Sequence, residues 1–263
     1  MSIEKEYEGR VVLVTGGAGC IGTNLCRRLA ELDARVIILD DLSSAYEWNI
    51  PKVKNIVFVK GSILDDEKLK RVFKEKPDYV FHLAAHFANQ NSVDNPEYDL
   101  MVNGLGILKV LQYAQLVNVK RFVYSSSGCG VYGLDSKMPF EEHDISISLH
   151  TPYQVTKLLG ELYTNYFHNL YDVPIVNARF FNVYGLDSKM PLEEHDISIS
   201  LHTPYQVTKL KVNELIGNDS GGQVCGEKGL GRQAQASGFD RESEEATGLR
   251  ATGGIRGRLE EGA

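Results

Sequence analysis

Six short apolar runs punctuate the first two thirds of the chain, at residues 11–15, 35–40, 55–59, 79–83, 121–124 and 174–179. They are rich in β-branched residues and apolar on both faces, the pattern of parallel strands covered on each side. Between them, apolar positions recur at helical spacing over residues 21–32, 67–73, 98–116 and 153–171. Strands alternating with helices predict a doubly wound parallel α/β domain over residues 1–185.

Past residue 185 the pattern changes. Residues 186–210 repeat residues 134–158 almost letter for letter, with Phe140 answered by Leu192 as the one difference. Repeats that build a fold drift in sequence and come in threes or more. One near-identical copy reads as a recent duplication rather than a solenoid. Residues 211–263 are dominated by Gly, Arg, Glu, Ala and Ser, with Phe239 as the only aromatic beyond residue 216. Such a composition buries too little apolar surface to offset the entropy of ordering, which predicts disorder.

Composition narrows the function classes. The 263 residues carry 28 basic and 35 acidic side chains, a net charge of −7. A chain this acidic is a poor holder of nucleic-acid backbones by bulk charge. No apolar run reaches the roughly 18 residues of a membrane helix, and the charged start lacks a signal-peptide core. Cys20, Cys26, Cys129 and Cys225 show no paired spacing, so neither zinc nor a disulfide framework is expected, and a cytoplasmic location is the default. The acidic stretch Glu141-Glu142-His143-Asp144 reads as a solvated loop rather than a metal site, and His82 and His86 as packing or cofactor-edge residues.

The first chemical signal follows the first strand. Gly16, Gly17, Gly19 and Gly22 satisfy both G-x-G-x-x-G and G-x-x-G-x-x-G, with Cys20 and Ile21 opening a helix. Glycines let the backbone turn tightly and approach a pyrophosphate, and the helix N-terminus offers N–H groups to it. Asp40 ends the second strand 18 residues past Gly22, with Asp41 beside it. A carboxylate there accepts from a ribose and repels a 2′-phosphate, so NAD is expected over NADP.

The second signal is Tyr153 and Lys157, four residues apart on one helix face. An ammonium near a phenol favours phenolate and lowers the tyrosine pKa from about 10, making a usable base. The third is Ser125-Ser126-Ser127 at the end of the fifth strand, the edge where such sheets bind ligands. A hydroxyl there can orient a reacting oxygen.

These motifs carry a resemblance. The segments TGGAGCIG at 15–22, LDDLSS at 39–44, HLAA at 82–85, VNGLGILKVLQYA at 102–114, FVYSSSGCGVYG at 122–133, PYQVTK at 152–157 and RFFNVYG at 179–185 resemble the extended short-chain dehydrogenase/reductase family. The branch is that of NAD-dependent epimerases and dehydratases, and the likeness is to UDP-glucose 4-epimerase-like members. It implies a Rossmann-like NAD-binding domain and epimerisation of a nucleotide sugar, a UDP-hexose, through a transient 4-keto sugar. Hydride passes to and from bound NAD. It assigns proton transfer to Tyr153, tuning and ribose binding to Lys157, and a hydrogen bond to the sugar to Ser127. It places Ser62, Ile63, Leu83, Ala84, Ala85, Asn103 and Phe180 around the cofactor, with Asn182 toward the sugar-nucleotide diphosphate. It further implies homodimers formed through the helices of residues 102–114 and of Tyr153.

Departures from the family pattern bear on these expectations. The loop Gly128-Cys129-Gly130 is one residue longer than usual before Val131, so Ser126 rivals Ser127. The Asp-Glu pair of the dehydratases is replaced by Gly128-Cys129, which argues against dehydration. Ser127-Gly128-Cys129 resembles the Ser-x-Cys of epimerase-reductases, which keeps that activity as an alternative. On this reading the C-terminal substrate lobe is largely missing after residue 185, and catalysis is expected to be impaired. A dehydratase of the same family and a non-catalytic NAD-binding fragment are the remaining alternatives. Tyr205 and Lys209, in the copied segment, form a second Tyr-x-x-x-Lys without a serine strand before it, and read as a decoy.

Overall fold

The computed structural model describes residues 3–87, 89–133, 139–181 and 183. The copied segment 186–210, the stretch 211–263 and Asn182 lie outside the described residues, as does the side chain of Cys129. Six strands form one parallel sheet: β1 (Val11–Thr15), β2 (Arg35–Asp40), β3 (Ile56–Lys60), β4 (Tyr79–His82), β5 (Arg121–Ser127) and β6 (Ile175–Phe180). Their spatial order is β3-β2-β1-β4-β5-β6, the doubly wound arrangement. The chain runs outward from β1 in both directions, so a crevice opens between the carboxyl ends of β1 and β4. Thr15 pairs with Leu39 on one side and His82 on the other, which brings three loops to that crevice.

The helices are α1 (Ile3–Tyr7), α2 (Cys20–Glu31), α3 (Asp66–Phe73), α4 (Asn89–Asp94), α5 (Pro96–Asp99), α6 (Gly106–Leu116), α7 (Gly128–Tyr132) and α8 (Pro152–Tyr171). Alternate residues of the central strands feed two cores. Leu13, Ile37, Leu39, Val80 and Phe122 pack with α3, α6 and α8, while Val12, Val14, Ile38 and Phe81 pack with α2. Among the described residues no helix is long and apolar enough to cross a membrane.

Three expectations are corrected. The third strand starts at Ile56 and is not covered on both faces: Val57 is 38% exposed, and Val176 on β6 is 43% exposed. These are the edge strands, with a neighbour on one side only. The fifth strand runs past Tyr124 through all three serines, because Ser125, Ser126 and Ser127 pair with Ala178, Arg179 and Phe180 of β6. The helix expected over residues 98–116 is α5, then a π-helical turn (Leu100–Leu105), then α6. Gly104 and Gly106 weaken the helix there, and the Asn103 side chain is committed to the neighbouring loop.

Helix α8 begins where the chain chemistry says it should. Thr151 and Gln154 form a reciprocal capping box, and Pro152 occupies the first turn. That start fixes the height of Tyr153 and Lys157 above the sheet. After β2, Tyr46 and Trp48 stack at 4.0 Å on a short turn (Glu47–Asn49), with Trp48 72% exposed.

Candidate functional site

The glycine loop is shaped by contacts that admit no side chain. A Cβ on Gly16, whose φ is +71°, would lie 2.6 Å from the backbone nitrogen of Ala84. One on Gly22 would lie 2.3 Å from the carbonyl oxygen of Gly16. These two glycines lock the loop against itself and against the Leu83–Ala84 backbone. Gly19 differs: its Cβ would meet the Gly16 oxygen at an ordinary 3.4 Å. Gly19 is therefore not required by packing, and apart from its chain neighbours no other atom among the described residues comes within 4 Å of the place its Cβ would take. No side chain caps α2 and no acid stands in its first turn, so Cys20 and Ile21 present that end to an anion.

Asp40 ends β2 with its carboxylate accepting from the amides of Ala18 (3.0 Å) and Leu42 (2.8 Å). It ties the glycine loop to the β2 loop. Burial raises its pKa above the usual carboxylate value, against those two hydrogen bonds and with a smaller push from Asp41. Leu42 sits at φ +63°, a conformation that a bulky residue rarely adopts, and its bond to Asp40 holds it there. Asp41 is exposed and accepts from the Ser43 amide at 2.9 Å. Ser62 accepts from the Leu64 amide, while the Ile63 side chain turns into the core, against Gly106. What Ile63 offers a cofactor is backbone alone.

Leu83, Ala84 and Ala85 leave β4 half-buried beside the glycine loop. Asn103 braces them. Its Oδ1 accepts from the His86 amide at 2.7 Å, and its Nδ2 donates to the His86 carbonyl at 3.1 Å. His82 is buried, shares a 2.8 Å hydrogen bond with the Thr15 hydroxyl, and stacks on Tyr124. Burial pushes its pKa down to about 3, so it is a neutral core residue.

Lys157 is 3% exposed, and its Nζ donates to the Ser125 carbonyl at 2.7 Å. It lies 5.2 Å from the Tyr124 ring centroid and 5.6 Å from that of Tyr153. Burial lowers its pKa to about 8. The Tyr153 ring is half-buried, edge-on to Phe87, and its amide is anchored to the Ser92 hydroxyl at 3.0 Å.

The two serines that the sequence left as rivals are in different situations. Ser126 is buried and donates to the Glu161 carboxylate. Ser127 is half-buried at the head of α7, where its hydroxyl accepts from the Gly130 amide at 3.2 Å. Gly130 is what brings α7 close: a Cβ there would sit 3.2 Å from Ser127 and 3.3 Å from Lys157. Ser127, Lys157 and Tyr153 thus gather at one sheet edge. Phe180 ends β6, half-buried, opposite Ser127.

Sequence reading missed the supports beneath these groups. Glu161 and Arg179 form a two-pronged ion pair at 2.9 and 2.8 Å, linking α8 to β6, and Arg179 also reaches Tyr132 at 3.1 Å. Asp99 accepts from Thr156 at 2.6 Å and from Asn103 at 2.9 Å. Glu161 lies four residues after Lys157 and Asp99 four before Asn103, the helical spacing that was the available signal. Among the described residues no group of three or more His, Cys, Asp or Glu side chains could hold a metal ion.

These groups line the carboxyl edge of the sheet from the β2 end, past the glycine loop, to Ser127, Tyr153 and Lys157. The profile described as the NAD dependent epimerase/dehydratase family matches residues 12–214. The chain belongs to that family. An epimerase structure from Methanothermobacter thermautotrophicus is 80% identical, with a TM-score of 0.70, over 71% of this chain and 55% of that one. A UDP-glucose 4-epimerase from Mycolicibacterium smegmatis is 39% identical over 66% of this chain and 56% of its own length. A UDP-N-acetylglucosamine 4-epimerase from Methanobrevibacter ruminantium, solved with UDP-N-acetylmuramic acid, is 35% identical over 68% of this chain and 57% of that one, with a TM-score of 0.64. This member of the epimerase/dehydratase family spans about half the length of the curated relatives it matches.

Its residues fit the cofactor of the family name. Gly19 leaves a cradle that a Cβ would fill, the uncapped end of α2 lies behind it, and Asp40 keeps acceptor capacity beyond its two amides.

Proposed function

We propose that this chain binds NAD and carries the acid–base half of a nucleotide-sugar 4-epimerase acting on a UDP-hexose. The observation that carries the reading is the gathering of Ser127, Tyr153 and a buried Lys157 at the carboxyl edge of β5. The identities of relatives named as UDP-sugar 4-epimerases support it.

NAD, when bound, supplies a reversible two-electron oxidation. The rest of the chemistry belongs to the chain. The amide end of α2 holds the pyrophosphate, and Asp40 accepts from the adenosine ribose and disfavours a 2′-phosphate. Tyr153 takes the proton from the sugar 4-hydroxyl and later returns it, with the Lys157 ammonium stabilising the charge that forms. The Ser127 hydroxyl accepts from Gly130, which leaves its own hydrogen for the sugar oxygen. Ser126 is already engaged by Glu161, which favours Ser127 for this role. Gly128 in the place of a dehydratase acid supports epimerisation over dehydration, and Asn182 is assigned to the sugar-nucleotide diphosphate by the resemblance alone.

Tyr153→Phe removes the proton carrier and keeps the ring. Interconversion of UDP-glucose and UDP-galactose is expected to fall by roughly 10²–10⁴-fold, with the NAD-induced thermal shift unchanged. A variant that turns over within threefold of the parent, on any UDP-hexose the parent accepts, would sink the assignment. Because Lys157 titrates at about 8, its hold on the site is expected to weaken as pH rises through that value.

A second copy of the chain is proposed as a partner. Leu100, Met101 and Leu105 on the π-helical turn and Val155 and Leu162 on α8 are 43–57% exposed on elements that pack together. Pairing α8 with its copy would cover them. Leu162→Glu is expected to shift a sedimenting dimer to monomer, and an unchanged sedimentation coefficient would count against this face.

A further inference from the structure

A buried polar cluster lies between α8 and the π-helical turn, and the chemistry above gives it no task. At its centre the Asp99 side chain is wholly buried. One carboxylate oxygen accepts from the Thr156 hydroxyl at 2.6 Å, and the other from the Asn103 amide at 2.9 Å. His86 approaches with Nδ1 at 3.6 Å, a buried nitrogen without a hydrogen-bond partner among the described residues. Thr156 precedes Lys157 in α8, so the acid is clamped to the backbone turn that carries the lysine.

Lys157 is a buried cation whose ammonium, among the described residues, donates to a neutral carbonyl. Its surroundings on each element can be named. On its own helix stand Tyr153 and Glu161, on β5 the Ser125 carbonyl and the Tyr124 ring, on β4 neutral His82, and at the end of α5 Asp99. Glu161 is already balanced by the guanidinium of Arg179. Asp99 is bound by neutral donors and held, through Thr156, one residue from Lys157 in α8, so among the described residues around the lysine it is the acid that no guanidinium or ammonium pairs directly.

We propose that Asp99 is a positioning residue of this site, a clamped carboxylate that serves as the buried counter-charge to the Lys157 ammonium. The inference rests on the reading of Tyr153 and Lys157 as the acid–base pair. Electrostatics agree in sign: burial works against the charge on Lys157 and Asp99 restores part of it, while Lys157 in turn favours the ionised form of Asp99.

The test reads the lysine itself, in the full chain without cofactor or sugar. In protein labelled with ¹³C-lysine, the Cε resonance of Lys157 is followed against pH. Asp99→Asn keeps the shape, since its amide can donate to Thr156 and its oxygen can still accept from Asn103. The Lys157 midpoint is expected to fall by about one pH unit, because a nearby opposite charge has been removed. An unmoved midpoint in a folded variant overturns the proposal. If Asp99→Asn does not fold, Lys157→Met supplies the reciprocal reading: the Asp99 carboxyl midpoint is expected to rise by a comparable amount. An unshifted Asp99 overturns it equally. In binding, a purely structural role would weaken NAD affinity alike at all pH values. A counter-charge role weakens it mainly above the variant's lower lysine midpoint. Absence of epimerase turnover would sink the reaction assigned above and leave these titrations unaffected.

Discussion

Glu161→Ala is expected to destabilise the domain by about 3–5 kcal/mol, because it leaves the Arg179 guanidinium partly buried and uncompensated. The Arg179 side chain is 16% exposed and that of Glu161 3%, so water replaces little of what is lost. The same change strips the acceptor from Ser126, and the strut joining β5, β6 and α8 goes with it. The denaturant midpoint, with its slope held constant, is the measurement. A loss below about 1 kcal/mol would place this pair with exposed ion pairs of small effect. The double replacement Glu161→Leu with Arg179→Met is expected to recover much of the loss, because two apolar side chains leave no buried charge behind.

The glycine loop yields the second large effect, and it separates packing from binding. NAD at about 100 times its dissociation constant is expected to stabilise the parent chain by about 2.7 kcal/mol. Gly19→Ala is expected to abolish that gain while costing the free protein no more than about 1 kcal/mol for the poorer N-cap, since its Cβ meets nothing closer than 3.4 Å. Gly22→Ala forces a Cβ to 2.3 Å from the Gly16 oxygen, so both the free protein and the gain should suffer. Thermal unfolding with and without NAD distinguishes the two. A Gly19→Ala variant that keeps its full response would mean that the ligand does not approach the loop there.

What could be read from the sequence follows from the range of the interactions. The strands announced themselves because each is a local run of β-branched residues, and the glycine loop because its spacing is local as well. Tyr153 and Lys157 were visible as an i, i+4 pair. The choice between Ser126 and Ser127 was not, because it depends on Glu161, 35 residues beyond Ser126. Period alone predicts plain helix across the π-helical turn, since it carries no sign of the Asn103 bonds that reach 17 residues back to His86. Asp99 falls inside the stretch 98–116 that the period predicts as helix, and nothing local shows that Thr156, 57 residues away in sequence, closes over it. Polar supports of this kind are made by tertiary partners, and no local pattern encodes a partner.

The stacked pair of Tyr46 and Trp48 has a practical meaning. Trp48 is the sole tryptophan of the chain, and it stands exposed on the turn that follows Asp40 and Asp41. Its emission therefore reads out the stretch that follows β2 and no other part of the chain. Quenching on addition of a dinucleotide would be an optical signal from the unmodified protein, with no label to disturb the fold.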